Sequence, residues 1–422
     1  MRRLLCGLAA LLAATAAVAQ APAVDPGPAP GGSPATTIEL ATMAPGEIYW
    51  QRFGHNALLV GGPDGVSYNF GYFDFDQPGF LRRFAMGRML YQALALPAPL
   101  DLDGYREEGR SVVLQALALD AVQSARLRAE LAEAVRPENR DYLYEYFRAN
   151  CSTRIRDAID RAVEGELRRQ TAGRSRGFTY RMHAMRLAQG SPWLATVIDL
   201  GLGPDADRRL SFWEEMFIPG ILRQYLPAVV LADGRPLVAG ERTWYAGTVP
   251  PPPLLPADRR LPYALAGIAL AVLVLSGSRR AAAGSGRWRR GLAVAGGTWH
   301  LLAGLAGLVL LLLWTVTDHV AAHGNENLFL LSPLSLLLAW PWWRQAAAGR
   351  PAGLAARALA WLVLVSALLG LAAKALPQVF AQANLHWALL LVPLQVAWFV
   401  AWRRFAHAPD QPDANGGRAI ER

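Results

Sequence analysis

Hydrophobic and polar positions divide the chain into two parts. Residues 38–250 mix apolar and polar positions as a globular domain does, whereas residues 261–404 contain long uncharged runs. The runs cover approximately residues 261–278, 292–315, 328–343, 354–376 and 385–402. Most of them reach the ~20 residues that a helix needs to cross a bilayer, and the third is shorter. The pattern predicts a soluble domain, a Pro-rich linker at residues 251–260 and an all-α bundle of five transmembrane helices.

The N-terminus and the loop charges predict how the chain is oriented. Residues 1–19 combine two arginines, an apolar stretch and a small-residue cleavage site, which predicts a signal peptide, with an uncleaved anchor as the alternative. A Pro/Gly-rich linker follows at residues 20–37. The first and third loops between the predicted spans carry five and three arginines, whereas the second carries no Lys or Arg and the fourth one Lys. Because Lys and Arg collect in cytoplasmic loops, we expect an exported soluble domain and a cytoplasmic tail at residues 405–422.

Within the soluble domain, residues 53–75 (FGHNALLVGGPDGVSYNFGYFDF) predict a β-hairpin. Apolar, β-favouring runs flank an Asp-Gly pair, which is a strong signal for a two-residue turn. With that turn, His55 lies opposite Asp74. A bulge or a longer turn would bring residues 69–71 opposite His55 instead, so Asn69 is the alternative partner.

Two amphipathic helices are predicted further along the domain. Residues 120–135 begin at an aspartate and space their leucines at helical intervals, and residues 150–163 offer Asn150 and Ser152 as caps. In the second helix one face is formed by Cys151, Ile155, Ile159 and Ala162 or Val163. Cys151 therefore lies in the first turn and points to the core side. The helix dipole and unpaired N–H groups there favour a thiolate.

The charge and cysteine content narrow the classes of function. The formal net charge is +9, and almost all of the basic excess is arginine beside apolar runs, which indicates membrane topology and no nucleic-acid partner. The chain has two cysteines, and Cys6 lies in the predicted signal peptide. Cys151 would thus be a lone thiol in an oxidising compartment, which is unusual for a merely structural cysteine.

Cys151 and His55 together suggest thiol acyl transfer. A histidine on a sheet can take the proton of a thiol at a helix start, and the thiolate then attacks an ester or amide carbonyl, with backbone N–H groups near Cys151 binding the oxyanion. Such a base needs a third group to orient its ring, and Asp74 and Asn69 are the two candidates. The alternative is that Cys151 is a small buried hydrophobe and His55 an ordinary hydrogen-bonded histidine.

A polar loop at residues 317–333 (TDHVAAHGNENLFLLSP) is the second candidate region. It faces the same side of the membrane as the soluble domain and contains Asp318, His319, His323, Asn325 and Asn327. Its side chains either cap helices in an ordinary solvated loop or form a polar site for a lipid headgroup at the membrane surface. The two histidines are four residues apart but lack a clear third ligand, so neither a metal nor another cofactor is predicted.

Four separated motifs carry a family resemblance. FGHNALLV (53–60), YNFGYFDF (68–75), YEYFRANCSTRIRD (144–157) and DHVAAHGNENLFLLSP (318–333) resemble the Lnb-type lipoprotein N-acyltransferases of Gram-negative bacteria. The resemblance implies an α+β fold, with a circularly permuted papain-like (NlpC-type) domain at residues 38–250 followed by the membrane bundle. Lecithin:retinol acyltransferase shares that arrangement and the Asn150–Cys151 pair, but not the residues that follow.

The resemblance also implies a function and a location. Cys151 would accept an acyl chain from a phospholipid as a thioester and pass it to the N-terminal cysteine of an exported lipoprotein. The protein would lie in the bacterial inner membrane with its N-terminal domain in the periplasm. Asn150 and Arg154, beside the thiol, and the polar residues of the 317–333 loop are then the candidates for contact with substrate or the membrane surface.

Two other functions fit parts of the sequence. The same Cys/His pair would serve a periplasmic peptidase or amidase that cuts peptidoglycan stem peptides, although such an enzyme needs no more than one anchor. A non-catalytic membrane scaffold or transporter would explain the spans alone, but they carry few interior charges and show no internal repeat. A thioester formed on Cys151 from phospholipid would separate acyl transfer from both.

Overall fold

The computed structural model describes residues 37–348 and 353–406. The predicted signal peptide, nearly all of the predicted linker at residues 20–37 and most of the predicted tail lie outside the described residues. The described strands are β1 (Ile38–Met43), β2 (His55–Val60), β3 (Val66–Tyr72), β4 (Leu90–Pro97), β5 (Val112–Leu117), β6 (Asp141–Leu143) and β7 (Val238–Tyr245).

The first nine described α-helices lie before residue 230 and the remainder follow residue 259. The former are α1 (Phe80–Met86), α2 (Ala98–Glu107), α3 (Ala121–Ala134), α4 (Cys151–Ala162), α5 (Glu166–Thr171), α6 (Tyr180–Ala188), α7 (Pro192–Gly201), α8 (Phe212–Glu215) and α9 (Pro219–Tyr225). The latter are α10 (Arg260–Ala282), α11 (Gly286–Thr315), α12 (Leu336–Ala348), α13 (Leu354–Ala372) and α14 (Leu385–Ala406).

The chain forms two compact units that do not follow the predicted boundaries. The first, the sheet unit, contains residues 37–78, 89–174 and 211–251. The second, the helical unit, contains the described residues from 252 onward together with residues 79–88 and 175–210. The sequence pattern assigns those last two segments to the soluble domain, whereas in the structure they contribute α1, α6 and α7 to the helical unit.

The sheet unit is built on an antiparallel sheet of seven described strands in the order β6-β4-β3-β2-β1-β5-β7. In the central strands, apolar residues at alternate positions point towards α2. These side chains and apolar residues of α2 form a buried core. The buried members are Ala41, Met43, Ala57, Leu59, Ala98, Leu102, Val112 and Leu114. Helix α4 packs against β2 and β3. This packing brings β2, which carries His55, close to α4, which carries Cys151.

The predicted hairpin exists, but its two-residue turn is wrong. Strands β2 and β3 pair Ala57 with Asn69 and Val60 with Val66, which leaves a five-residue connection from Gly61 to Gly65. Gly61 has φ 86° and the next glycine φ 70°, a left-handed region that glycine enters at little cost. The longer turn shifts the register so that Asp74 is not opposite His55. Asn69 instead lies diagonally from His55 on the same sheet face.

Both predicted helices of this unit are confirmed. Helix α3 begins after Asp120, whose side chain accepts a hydrogen bond from the backbone N–H of Gln123 as part of a capping box. Helix α4 begins after Asn150, which caps it in the same way with Thr153. Its predicted face is buried, with Cys151 9% exposed. Apolar spacing and a cap residue were enough to locate both helices.

Four described helices of the helical unit are long and apolar enough to cross a membrane, namely Arg260–Ala282, Gly286–Thr315, Leu354–Ala375 and Leu385–Arg404. The third predicted span differs. A helix was expected from residue 328, but short 3-10 turns occupy Glu326–Phe329 and Pro333–Ser335, and α12 begins only at Leu336. Proline lacks an N–H donor and restricts the residue before it, so Pro333 delays the α-helix.

Candidate active site

Contacts on both sides fix the start of α4, where Cys151 lies. The Asn150 side chain accepts a hydrogen bond from the N–H of Thr153 (2.9 Å) and donates to the carbonyl of Phe217 (2.9 Å). The Ser152 hydroxyl donates to the carbonyl of Met216 at 2.6 Å. The buried segment that joins α8 to α9 therefore holds the first turn of α4 in place, and the thiol with it.

His55 is the partner of the thiol. The imidazole and the backbone N–H groups of Asn56 and Ser152 face the sulfur and interact with it electrostatically. His55 Nε2 lies 2.9 Å from Asn69 Oδ1. Because Nε2 is used by Asn69, Nδ1 is the ring nitrogen that remains for Cys151. The structure thus brings together three of the residues singled out from sequence.

A buried carboxylate sets the direction of this chain of hydrogen bonds. Asn69 Nδ2 donates to Asp101 Oδ2 (2.9 Å), and the Ser67 hydroxyl donates to the same oxygen (2.6 Å). Since the amide nitrogen of Asn69 faces Asp101, its oxygen must face His55 and accept from Nε2–H. Neutral His55 is therefore held in the tautomer whose Nδ1 can take a proton from the thiol. Tyr105 stacks on the ring, with centroids 6.0 Å apart.

Asp74, the first candidate for orienting His55, lies elsewhere. Its carboxylate accepts a hydrogen bond from the N–H of Asp76 at 2.8 Å, and the residue is exposed in the turn after β3. That is the turn-capping geometry common for aspartate. The five-residue hairpin connection is the reason, because it moves Asp74 past the end of the pairing.

The thiol and the imidazole shift each other's pKa in opposite directions. Burial alone raises the pKa of Cys151, but the facing His55 and the N–H groups of Asn56 and Ser152 outweigh it, so the net shift is downward. Burial alone lowers the pKa of His55, but Cys151 and the hydrogen bond to Asn69 outweigh it, so the net shift is upward. Both shifts favour a thiolate–imidazolium pair, the reactive form of a nucleophilic cysteine.

These shifts predict the pH dependence of alkylation at Cys151. Iodoacetamide reacts with the thiolate, so in a Cys6→Ser protein the alkylation rate should already be high at pH values well below the ordinary pKa of cysteine. In His55→Ala the cation that lowers this pKa is gone, and the midpoint of the profile should move to higher pH. Mass spectrometry of the labelled protein would measure both profiles. An unchanged profile in His55→Ala, with normal thermal unfolding, would contradict the pairing.

Gly71 lies beside the thiol and two tyrosines. A Cβ at Gly71 would lie 3.6 Å from Cys151 Cβ, 3.6 Å from Tyr144 Cε2 and 3.9 Å from Tyr142 Oη, and Gly71 has φ 99°. Tyr142 Oη is buried and has no hydrogen-bond partner among the described residues. Burial raises the pKa of Tyr142, so its hydroxyl is a neutral donor. The Arg154 guanidinium lies 4.4 Å above the Tyr142 ring.

The candidates at the start of the 317–333 loop contact α1. The N–H of Asp318 donates to the carbonyl of Met86 (2.8 Å), and its carboxylate is paired with Arg88. His319 Nε2 lies 3.0 Å from the carbonyl oxygen of Phe84. His323 Nε2 lies 3.0 Å from the carbonyl oxygen of Thr317 within the loop. One ring nitrogen of each histidine thus has a backbone partner.

The two asparagines of this loop bind the end of α7. Asn325 Nδ2 donates to the carbonyls of Leu200 (2.8 Å) and Gly201 (3.0 Å), and Asn327 Nδ2 donates to Leu200 (3.1 Å). These are carbonyls that a helix leaves unsatisfied at its C-terminus. Of the two interpretations of the loop, helix capping therefore applies to these two asparagines. The helix that they cap, α7, is distant from them in sequence. Contact of the loop with lipid headgroups stays a prediction.

A charged network that sequence reasoning missed lies near the same helix end. Asp199 is buried and binds Arg181 Nη1 (2.9 Å), His386 Nε2 (2.6 Å) and Trp387 Nε1 (3.1 Å). Burial raises the pKa of Asp199, but His386 and Arg181 outweigh it, so the net shift is downward. A satisfied buried charge of this kind fixes α6 and α7 to the start of α14.

Two residues of the thiol site were also missed by sequence reasoning. Asp101 lies 32 positions from Asn69, and nothing local marks it as a partner. Tyr142 did carry a signal, because tyrosines at 142, 144 and 146 alternate with period two just before the cysteine. As for metals, no group of three His, Cys, Asp or Glu side chains suited to an ion occurs within the described residues.

Comparison with known protein families gives two matches along the chain. Residues 33–186 match the Lnb N-terminal periplasmic domain, and residues 264–403 match the Lnb transmembrane domain. The first match contains His55, Asn69, Asp101 and Cys151, and the second contains the described helices from α11 to α13 and most of α10 and α14. No curated protein and no solved structure matches the chain.

Proposed function

The chain belongs to the Lnb-type family, with a periplasmic N-terminal domain and membrane-spanning helices, and we propose that it is a membrane-bound thiol acyltransferase. One observation carries the proposal. A buried cysteine with a lowered pKa faces an oriented histidine in a chain that also spans a membrane. Reactive thiols are typical of acyl transfer, and the spans place the protein where phospholipid is the abundant ester.

The proposed reaction has two halves that share Cys151. In the first, the thiolate attacks the ester carbonyl carbon of a phospholipid, and a tetrahedral oxyanion forms. The C–O bond then breaks, and the imidazolium of His55 gives its proton to the departing lysophospholipid oxygen. In the second, an amine attacks the thioester, His55 accepts a proton from it, and the thiolate leaves as the amide forms. The acceptor is the N-terminal cysteine of an exported lipoprotein.

Tyr142 is proposed to bind the oxyanion that forms beside Cys151 at the start of α4. Its hydroxyl lies near Gly71, which is next to Cys151, and this neutral hydroxyl has no partner in the described part of the chain. A hydrogen-bond donor that has no partner before the reaction is suited to stabilise negative charge that develops only during the reaction. Arg154 over the ring supports the orientation of the phenol.

The Tyr142 proposal predicts a selective loss in a hydroxyl-deletion variant. Tyr142→Phe should lower the acylation rate of Cys151 by about 10²–10³-fold, as for other oxyanion donors, while iodoacetamide still alkylates the thiol normally. The matched control is Tyr146→Phe, because the Tyr146 hydroxyl lies 3.3 Å from Met89 Sδ instead. Equal acylation rates in the two variants would rule out the role of Tyr142.

A direct test follows the acyl chain. Purified protein in nanodiscs is incubated with phospholipid radiolabelled in its acyl chains, quenched in acid and digested. We expect hydroxylamine-sensitive label on the Cys151 peptide, and no label when the radioactive atom is in the headgroup. Addition of a diacylglyceryl-cysteine peptide should discharge the thioester and acylate the peptide amine. Folded protein that forms no thioester would refute acyl transfer from lipid and leave the peptidase alternative.

The finer architecture is part of the same proposal. Helix α4, which carries Cys151, follows strand β2, which carries His55, in sequence. This order supports a circularly permuted papain-like (NlpC-type) fold for the sheet unit. For the membrane part, five crossings are supported by the packing of residues 331–342 antiparallel along α11. Cβ atoms at Gly307, Gly304 and Gly296 would meet Leu331, Leu336 and Trp342 in that order. Five crossings would put the Arg-rich loops and the C-terminus in the cytoplasm, in the inner membrane.

A further inference from the structure

Helix α1 is amphipathic and largely exposed. On a helical projection Phe80, Leu81 and Phe84 fall on one face, and Arg82 and Arg83 fall on the other. Leu81 is 68% exposed and Phe84 is 48% exposed. Large apolar side chains at such exposure, grouped on one short helix with cationic residues behind them, are typical of a segment that lies in a membrane interface.

The helix is held at the end of a membrane-spanning helix. The carbonyl of Met86 accepts from the N–H of Asp318, the carbonyl of Phe84 lies 3.0 Å from His319 Nε2, and Arg88 pairs with Asp318. A Cβ at Gly87 would lie 2.8 Å from the Asp318 carbonyl carbon and the His319 nitrogen. Only glycine permits that close approach, so close backbone contacts as well as side chains attach α1.

The length of α11 gives the depth of this attachment. Its 30 residues span about 45 Å at 1.5 Å per residue, close to the ~40–45 Å of a bilayer with its headgroup regions. The helix ends at Thr315, and Asp318 follows within one turn. Trp314, the residue type enriched at membrane interfaces, is 45% exposed at that end. The anchoring residues therefore lie at the level of the lipid headgroups.

We propose that α1 is an interfacial membrane anchor. Phe80, Leu81 and Phe84 enter the boundary between headgroups and acyl chains in the leaflet at the C-terminal end of α11, and Arg82 and Arg83 contact the phosphates. The surface is continuous with the membrane-spanning helices, and its charge complements anionic lipid. In sequence, this anchor is inserted between β3 and β4. The proposal does not depend on the acyl-transfer reaction.

The test measures the surroundings of Leu81. A Leu81→Cys protein in a Cys6→Ser/Cys151→Ser background is labelled with an NBD fluorophore and reconstituted in nanodiscs of phosphatidylethanolamine and phosphatidylglycerol. We expect blue-shifted emission that is quenched by doxyl-labelled lipid and protected from iodide. Two matched labels are Arg82→Cys, on the opposite face of α1, and Val122→Cys, 67% exposed on α3. Iodide should quench both more strongly than it quenches the Leu81 label.

The outcomes are separable. Iodide quenching of the Leu81 label as strong as that at Val122, without quenching by doxyl lipid, would show an aqueous surface and overturn the proposal. Protection from both quenchers would show burial in protein and would overturn it equally. Because the readout is position and not activity, failure of this experiment and failure of acyl transfer can be told apart.

Discussion

Replacing Cys151 with serine will abolish acylation of the protein by phospholipid. A serine hydroxyl at this position cannot be ionised by His55 near neutral pH, whereas the thiol pKa is lowered by that histidine and by two backbone N–H groups. The covalent step depends on the nucleophile being deprotonated when the ester arrives. We expect no acid-stable radiolabel on the variant, against stoichiometric label on the parent, and a loss of all transfer to a lipoprotein-like peptide.

The control for this prediction is the fold of the variant. Cys151→Ser keeps a small polar side chain at the first position of α4, and the caps made by Asn150 and Thr153 do not use the thiol. Thermal unfolding and insertion into nanodiscs should therefore match those of the parent. A serine variant that transfers acyl chains at the parental rate would show that the nucleophile is another group.

Local signals were sufficient to predict the elements that carry the site. A cap residue and the spacing of apolar residues predict helix α4, and the structure has both the cap and the buried apolar face. The hairpin followed from its alternating runs, but the register depended on which residues make the turn. Asp64–Gly65 was the stronger two-residue signal, yet two left-handed glycines before it extended the connection. A register is fixed by turn geometry, and the choice among turn lengths was not decided by the local sequence.

Long-range partners could not be predicted from pattern. Asp101 on α2 reaches Asn69 only because the sheet packs α2 over that strand. The same limit explains why residues 79–88 and 175–210 were placed with the soluble domain. Each is joined by contacts to residues more than a hundred positions away, such as Met86 to Asp318 and Leu200 to Asn325. A polar contact between distant segments produces no periodic pattern of residues in either segment.

The second large effect on the acylation rate is expected from the residue that orients His55, for which Asn69 and Asp74 are the candidates. Asn69→Ala should lower the acylation rate by roughly 10²-fold or more, because the base loses the acceptor that holds its tautomer. Asp74→Asn should acylate at the parental rate, since its carboxylate binds only its own turn among the contacts described. Acylation rates under single-turnover conditions would measure both, with thermal unfolding as the check on folding.

A change in pH dependence separates orientation from a structural defect. The hydrogen bond to Asn69 raises the pKa of His55, so its removal lowers that pKa and weakens the imidazolium that stabilises the thiolate. In Asn69→Ala the alkylation profile of Cys151 should therefore shift to higher pH, towards that of His55→Ala. Asp101→Asn should give a smaller shift in the same direction, because the charge of Asp101 raises the pKa of His55 less than the hydrogen bond to Asn69 does. A rate loss in Asn69→Ala with an unshifted profile would mean that the amide merely supports the sheet, and that Cys151 and His55 work as a dyad.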